Sequence, residues 1–123
     1  MTDEASRGPA KTIYKIFRVD EWSSAEKKGR FLGSPDDIRD GFIHFSTAEQ
    51  LRGTLDKHFS ADDEIVLAAV DATALGNDLK WETARGGMRF PHLYAALSLD
   101  AVNTVTRHKR DSSGDFVASA EIP

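Results

Sequence analysis

Three short runs of this 123-residue chain carry side chains that could grip a ligand or move a proton. The first is Gly41-Phe42-Ile43-His44-Phe45-Ser46-Thr47. It places a titratable ring and two hydroxyls where a β-rich run meets a helix start, and the N–H groups of a helix start favour an anion. Period-two geometry puts His44 on the same face as Phe42 and Ser46, opposite Ile43 and Phe45. Taken alone, the run reads more plainly as a capped helix beside a satisfied, half-buried histidine. The second run is Lys80-Trp81-Glu82 with Arg85-Gly86-Gly87. Its glycines allow close backbone approach, and Arg85 offers a planar fork to phosphate. A turn with a surface Glu82–Arg85 ion pair is the simpler alternative. The third is Phe90-Pro91-His92-Leu93-Tyr94, where alternation brings His92 and Tyr94 onto one face and both can exchange hydrogen bonds or protons. An edge strand with His92 in solvent would produce the same letters.

The other histidines point to structure. His58 closes a helix, where the dipole favours a cation, and His108 lies in a charged rim with Arg107, Lys109 and Arg110. His44, His92 and Glu82 could together hold a metal, but no His-x-His or His-x3-His pair supports one, and no metal ligand is assigned. A Gly-x-Ser-x-Gly elbow, a Walker A loop and a dinucleotide-binding glycine fingerprint are all absent.

The elements that must position these residues follow from periodicity and turn chemistry. Residues 1–11 read as a flexible tail, and 12–123 as one domain. Thr12 to Phe17 is a first strand, and Asp20 caps a helix over Glu21 to Lys28 that Gly29 ends. Gly33 to Asp37 is loop chemistry followed by one helical turn. Ser46 and Thr47, each with an acid or amide three residues on, predict a helix to about His58 with Leu51, Leu55 and Phe59 on its buried face. Glu64 to Val70 suits a central strand covered on both sides. Leu79 to Glu82 is a short strand, Ala84 to Arg89 a loop, and Pro91 makes Phe90 to Tyr94 an edge or a bend. Val102 to His108 is a strand, and Asp111 to Gly114 a hairpin turn leading into Phe116-Val117-Ala118. About six strands with two or three helices in the first half, not alternating regularly, define an α+β class.

Bulk properties narrow the function. The hydrophobic fraction is 40% and the charged fraction 29%, which suits a folded domain. A net charge of −4 and a pI of about 5.5 disfavour nonspecific grip of duplex nucleic acid. Without cysteine, disulfides and thiol catalysis are excluded. No signal peptide or membrane span is visible, so a cytoplasmic location is expected.

Together the runs resemble a known family. Ile13-Tyr14-Lys15-Ile16, Trp22, Asp40 to Ala48, Gln50-Leu51 and His58-Phe59 are similar to the start of the domain-of-unknown-function 952 family. Val70-Asp71, Lys80-Trp81-Glu82, Arg85-Gly86-Gly87 and Phe90 to Tyr94 are similar to its second half, so the likeness spans roughly residues 12 to 105. The resemblance implies a small ADP-ribosyltransferase-like body, a split mixed or antiparallel sheet with a cleft for NAD or an ADP-ribose-like group. By motif the RNA 2′-phosphotransferases look nearest, since they share His, an apolar residue and Ser at a strand end. It further implies Lys15 at the first-strand position, where such transferases usually carry His or Arg. Ser46 then takes the middle position, and Glu82 is the nearest candidate for the late acid.

The resulting expectation is an enzyme acting on NAD or on an ADP-ribosylated or phosphorylated substrate. Lys15 and Arg85 would hold phosphates, His44 and Ser46 would orient the ribose, and Glu82 would stabilise an oxocarbenium-like centre. Thr47, Trp81, Gly86, His92 and Tyr94 would complete the ligand's surroundings. Two alternatives stand beside it: a binding module for a nucleotide-like metabolite without turnover, and a metal-dependent hydrolase or transferase using His44 and His92. Nothing in the sequence fixes the oligomeric state.

Overall fold

The structure, a computed structural model, describes residues 11–116, with Arg85 by its backbone alone. The tail expected over residues 1–11, apart from Lys11, and the expected continuation at Val117-Ala118 lie outside the described residues.

Along the chain run β1 (Thr12–Arg18), α1 (Val19–Lys28), β2 (Arg30–Phe31), α2 (Pro35–Asp40), β3 (Ile43–His44) and α3 (Leu51–His58). There follow β4 (Glu64–Asp71), β5 (Leu79–Thr83), β6 (Arg89–Leu93), β7 (Leu97–Ser98) and β8 (Val102–Lys109). The three α-helices fall in the first half and every strand pair is antiparallel, so the α+β class holds. The strands form sheets in the orders β1-β4-β8, β2-β7 and β3-β6-β5.

Strand β4 is central and covered on both faces, as its unbroken apolar run requires. Val66, Ala68 and Val70 face the main core with Ile13, Phe17 and Trp22. Ile65 and Leu67 face a second cluster, closed by Leu51, Leu55 and Phe59 at the end of α3. In the main core Phe17 meets Trp22 and Phe31 edge-on, with centroids 5.1 and 4.8 Å away.

The local starts and stops differ from expectation in instructive ways. Helix α1 begins at Val19, not after Asp20, because Glu21 reaches back to accept the Arg18 N–H at 2.9 Å. The run Phe42 to Phe45 pairs as a strand over two residues only. The expected helix from Ser46 opens as a 3₁₀ turn at Ala48–Gln50, with Gln50 Oε1 accepting the Thr47 N–H at 3.0 Å.

Pro91 lies in a central strand, not at an edge. Its carbonyl accepts the Phe45 N–H at 3.0 Å, so its ring nitrogen faces the same side, where β3 has just ended. The missing donor therefore removes one bond at the last rung.

Strand β1 meets the chain beyond β3 through one bridge, in which Tyr14 and Ser46 exchange backbone bonds of 2.8 and 2.9 Å. Two three-stranded sheets are thus tied at one point, and a cavity opens beside it. Among the described residues no helix is long and apolar enough to cross a membrane.

Candidate functional site

Asp37 organises the site. Helix α2 is capped by a reciprocal pair: Ser34 Oγ accepts the Asp37 N–H at 3.2 Å, and Asp37 Oδ2 accepts the Ser34 N–H at 2.9 Å. Gly41, at φ +89°, closes the helix in the left-handed region and returns its N–H to Asp37 O at 2.8 Å. That reversal folds the chain back so that His44 meets the same carboxylate, with its backbone N–H at 3.1 Å and its Nδ1 at 2.6 Å from Oδ1. Lys15 Nζ approaches from β1, 3.0 Å from Asp37 Oδ2 and 2.9 Å from the His44 carbonyl. Burial would raise the Asp37 carboxyl. The His44 bond, the Lys15 ammonium and the Ser34 and His44 backbone N–H groups outweigh that and hold it well below the usual carboxylate range. Burial likewise lowers Lys15, and Asp37 opposes the shift.

Two histidines face each other across this corner, with ring centroids 5.6 Å apart. His44 is held at both nitrogens, by Asp37 and by Asp40 Oδ2 at 2.9 Å from Nε2. Asp40 itself is held low, first by its hydrogen bond from Arg39. His92, in β6, is buried and directs Nδ1 to Glu82 Oε1 at 2.7 Å. Tyr94 donates to that same oxygen at 2.7 Å. The bond from His92, then that from Tyr94, pull the Glu82 carboxyl below its ordinary value, and Glu82 in turn raises the Tyr94 hydroxyl. An ionised Glu82 only accepts, so His92 donates from Nδ1, and in the neutral ring the lone pair then lies on Nε2. Phe42 fixes the ring planes: it stacks on His92 at 4.0 Å and tilts against His44 at 4.6 Å and Tyr94 at 5.3 Å. The result is a carboxylate–histidine pair with its free nitrogen available as a general base.

The cavity beside these rings measures about 160 Å³. Lys15, His44, Ser46 and His92 line it, joined by Asp37, Asp40 and Thr54. Several expected roles change here. Lys15 is buried against Asp37 and the His44 carbonyl, so it is a structural cation and not a free phosphate grip. Ser46 is buried with its Oγ 2.9 Å from Thr54 Oγ1, and Thr54 donates to the Gln50 carbonyl. The Ser46 proton therefore goes to Thr54, and among the described residues no His or carboxylate is hydrogen-bonded to its Oγ. Ser46→Ala is expected to lose about 0.5–1.5 kcal/mol of stability in denaturant unfolding. Any turnover should be unchanged within a few-fold. A rate loss of 100-fold would return Ser46 to the chemistry.

Trp81 packs against the main core, so it is not a ligand platform. Thr47 serves the turn into α3, and Gly86 lies in an exposed 3₁₀ turn, Arg85–Gly87, and neither lines the cavity. Glu82 and Tyr94 stand behind His92, outside the cavity, and act through it. The Arg85 side chain lies outside the described residues. A metal at His44 and His92 does not fit the donors: both His44 nitrogens face carboxylates, and the described residues contain no group of three or more ligating side chains placed to share an ion.

Asp37, Asp40 and Phe42 are the site residues that sequence reasoning missed. The signal was available as Asp37-x-x-Asp40-Gly41: two acids one helical turn apart, then a glycine reversal that points them at the next strand.

Residues 16–105 match the family described as "Protein of unknown function (DUF952)". The chain is 44% identical to CC0527 from Caulobacter crescentus in its crystal structure, which covers 90% of this chain and 97% of that one with a TM-score of 0.84. The solution structure of CC0527 gives 44% identity, coverage of 91% and 96%, and a TM-score of 0.78. No curated protein matches significantly. With most of its folded length matched, the chain belongs to the DUF952 family.

Proposed function

We propose that the cleft where the two three-stranded sheets part binds a nucleotide-type ligand, such as NAD or another ADP-ribose-like molecule, and that His92 acts there as general base. In this reading the body is ADP-ribosyltransferase-like. Two antiparallel sheets tied at the Tyr14–Ser46 bridge, with a cavity at the tie, support it.

The observation that carries the chemistry is the Glu82–His92 pair. Its carboxylate fixes the tautomer, its Tyr94 partner fixes the carboxylate, and the free Nε2 belongs to a ring on the cavity wall. His92 would take a proton from a ligand hydroxyl or from water, and Glu82 would stabilise the imidazolium formed. Asp40 is a rim side chain, so a ligand group that displaces it would gain a hydrogen bond from His44 Nε2. A cleft that binds without turnover is the second reading, favoured by the occupied Ser46 hydroxyl and the absence of cysteine. A small-molecule partner, no duplex nucleic acid and a cytoplasmic location complete the proposal, in line with the acidic, cysteine-free composition.

Thermal unfolding with NAD, ADP-ribose and mononucleotides tests it. A ligand at about 100 times its Kd stabilises the native state by about 2.7 kcal/mol, a rise of several degrees in Tm. Chromatography of the ligand after incubation then separates turnover from binding alone. A Tm unmoved by every nucleotide would overturn the proposal.

A further inference from the structure

We infer that the cavity admits one six-membered heterocycle, neutral or cationic and bearing an N–H, and excludes phosphate groups and fused-ring purines. The inference rests on the reading of this cleft as a ligand site and adds which part of the ligand enters it.

Size sets the first limit. At about 160 Å³ the cavity is close to the roughly 150 Å³ that accommodates benzene, and well short of the roughly 300–1,000 Å³ of sites that enclose whole drug-sized ligands. One ring fits and two fused rings do not. Ile16, Phe45, Phe59 and Phe90 provide apolar walls for its faces.

Charge sets the second limit. Among the described residues the lining holds three Lys and Arg side chains, and each already has carboxylate partners. Lys15 meets Asp37, Arg18 meets Glu21 and Asp62, and Arg39 meets Asp36 and Asp40. The lining carboxylates (Glu21, Asp36, Asp37 and Asp40) are taken up by those cations and by His44, whose two nitrogens face Asp37 and Asp40. An entering phosphate would meet these carboxylates and no uncommitted Lys or Arg, whereas a neutral or cationic ring would not be repelled.

His92 sets the third. Its side chain is only 6% exposed, its Nδ1 donates to Glu82, and among the described residues no protein group pairs its Nε2. A buried acceptor of this kind is satisfied by a donor, which selects a heterocycle bearing an N–H over one carrying acceptors alone.

The test is nuclear magnetic resonance of the full chain labelled with ¹⁵N-histidine. The His92 Nε2 signal is assigned by its loss in His92→Gln, and the probes are cytosine, 2-aminopyridine, adenine, benzoate and inorganic phosphate. Cytosine or 2-aminopyridine should move that signal saturably, at least tenfold more tightly than adenine, benzoate or phosphate. Equal affinity for any of those three, or no response to either monocycle, overturns the inference. Its fate is separable from that of the nucleotide proposal. Nucleotides that raise Tm and leave the His92 Nε2 signal in place would sink the inference alone. Monocycles that bind where no nucleotide does would sink the nucleotide reading alone.

Discussion

Asp37→Ala is expected to destabilise the protein by about 3–5 kcal/mol and to lower Tm by on the order of 10–20 °C. Lys15 is the reason. Its side chain is buried and leaves β1 on the same face as Ile13 and Phe17, and Asp37 is its counter-ion at 3.0 Å. Removing the carboxylate leaves a buried ammonium without its counter-charge, and three further bonds are lost, from His44 Nδ1, the His44 N–H and the Ser34 N–H. Lys15→Met in the same chain should recover much of the loss, because a buried pair replaced by apolar side chains is often neutral or stabilising. A double-mutant cycle from urea unfolding measures the coupling. Loss of similar size in both single variants, with no recovery in the double, would show the pair to be independent.

Acid should reveal the same carboxylate. Its pKa is lower in the folded than in the unfolded chain, so its contribution is fully present above the ordinary carboxylate value of about 4 and is lost as pH falls below it. Between pH 7 and pH 3 the wild-type urea midpoint should fall more steeply than that of Asp37→Asn. Parallel slopes would assign the acid sensitivity to other carboxylates.

How much of this was legible in the sequence differs by level. The buried strand at Glu64 to Val70 and the Leu51-Leu55-Phe59 face were readable because burial imposes a period, and a period survives in one dimension. Gly29 was readable as a helix end for a similar local reason. Lys15 was misread because its partner is 22 residues away, and the sequence does not show which strand lies beside which helix. Trp81 and Glu82 illustrate the same limit at one-residue spacing. Alternation separates them onto opposite faces of β5, but which face meets the core was settled only by pairing with β6. The central place of Pro91 was hidden because β3 ends where it does, and that end depends on the bridge to β1. The histidine cluster emerged in outline, since His44 and His92 were both singled out. That they occupy paired positions on adjacent strands is a matter of register, which periodicity alone does not fix.

The largest functional effect should come from Glu82→Gln, which alters chemistry with little change in fold. The carboxylate accepts from both His92 Nδ1 and Tyr94, and it is well exposed, so its loss leaves the core untouched. A glutamine keeps a carbonyl oxygen where both donors bond, and loses the negative charge. The imidazolium formed when His92 takes a proton then has no counter-charge. Turnover of any nucleotide that the protein consumes should then fall by about 10²–10⁴, the range that a positioned general base supplies. Tm should hardly move. Tyr94→Phe removes one of the two donors and leaves the carboxylate, so it should keep most of the rate. The ordering is the discriminating result. If His92 only fills space, Glu82→Gln and Tyr94→Phe will behave alike. If the pair is a base, rate follows the charge on Glu82 and is indifferent to Tm.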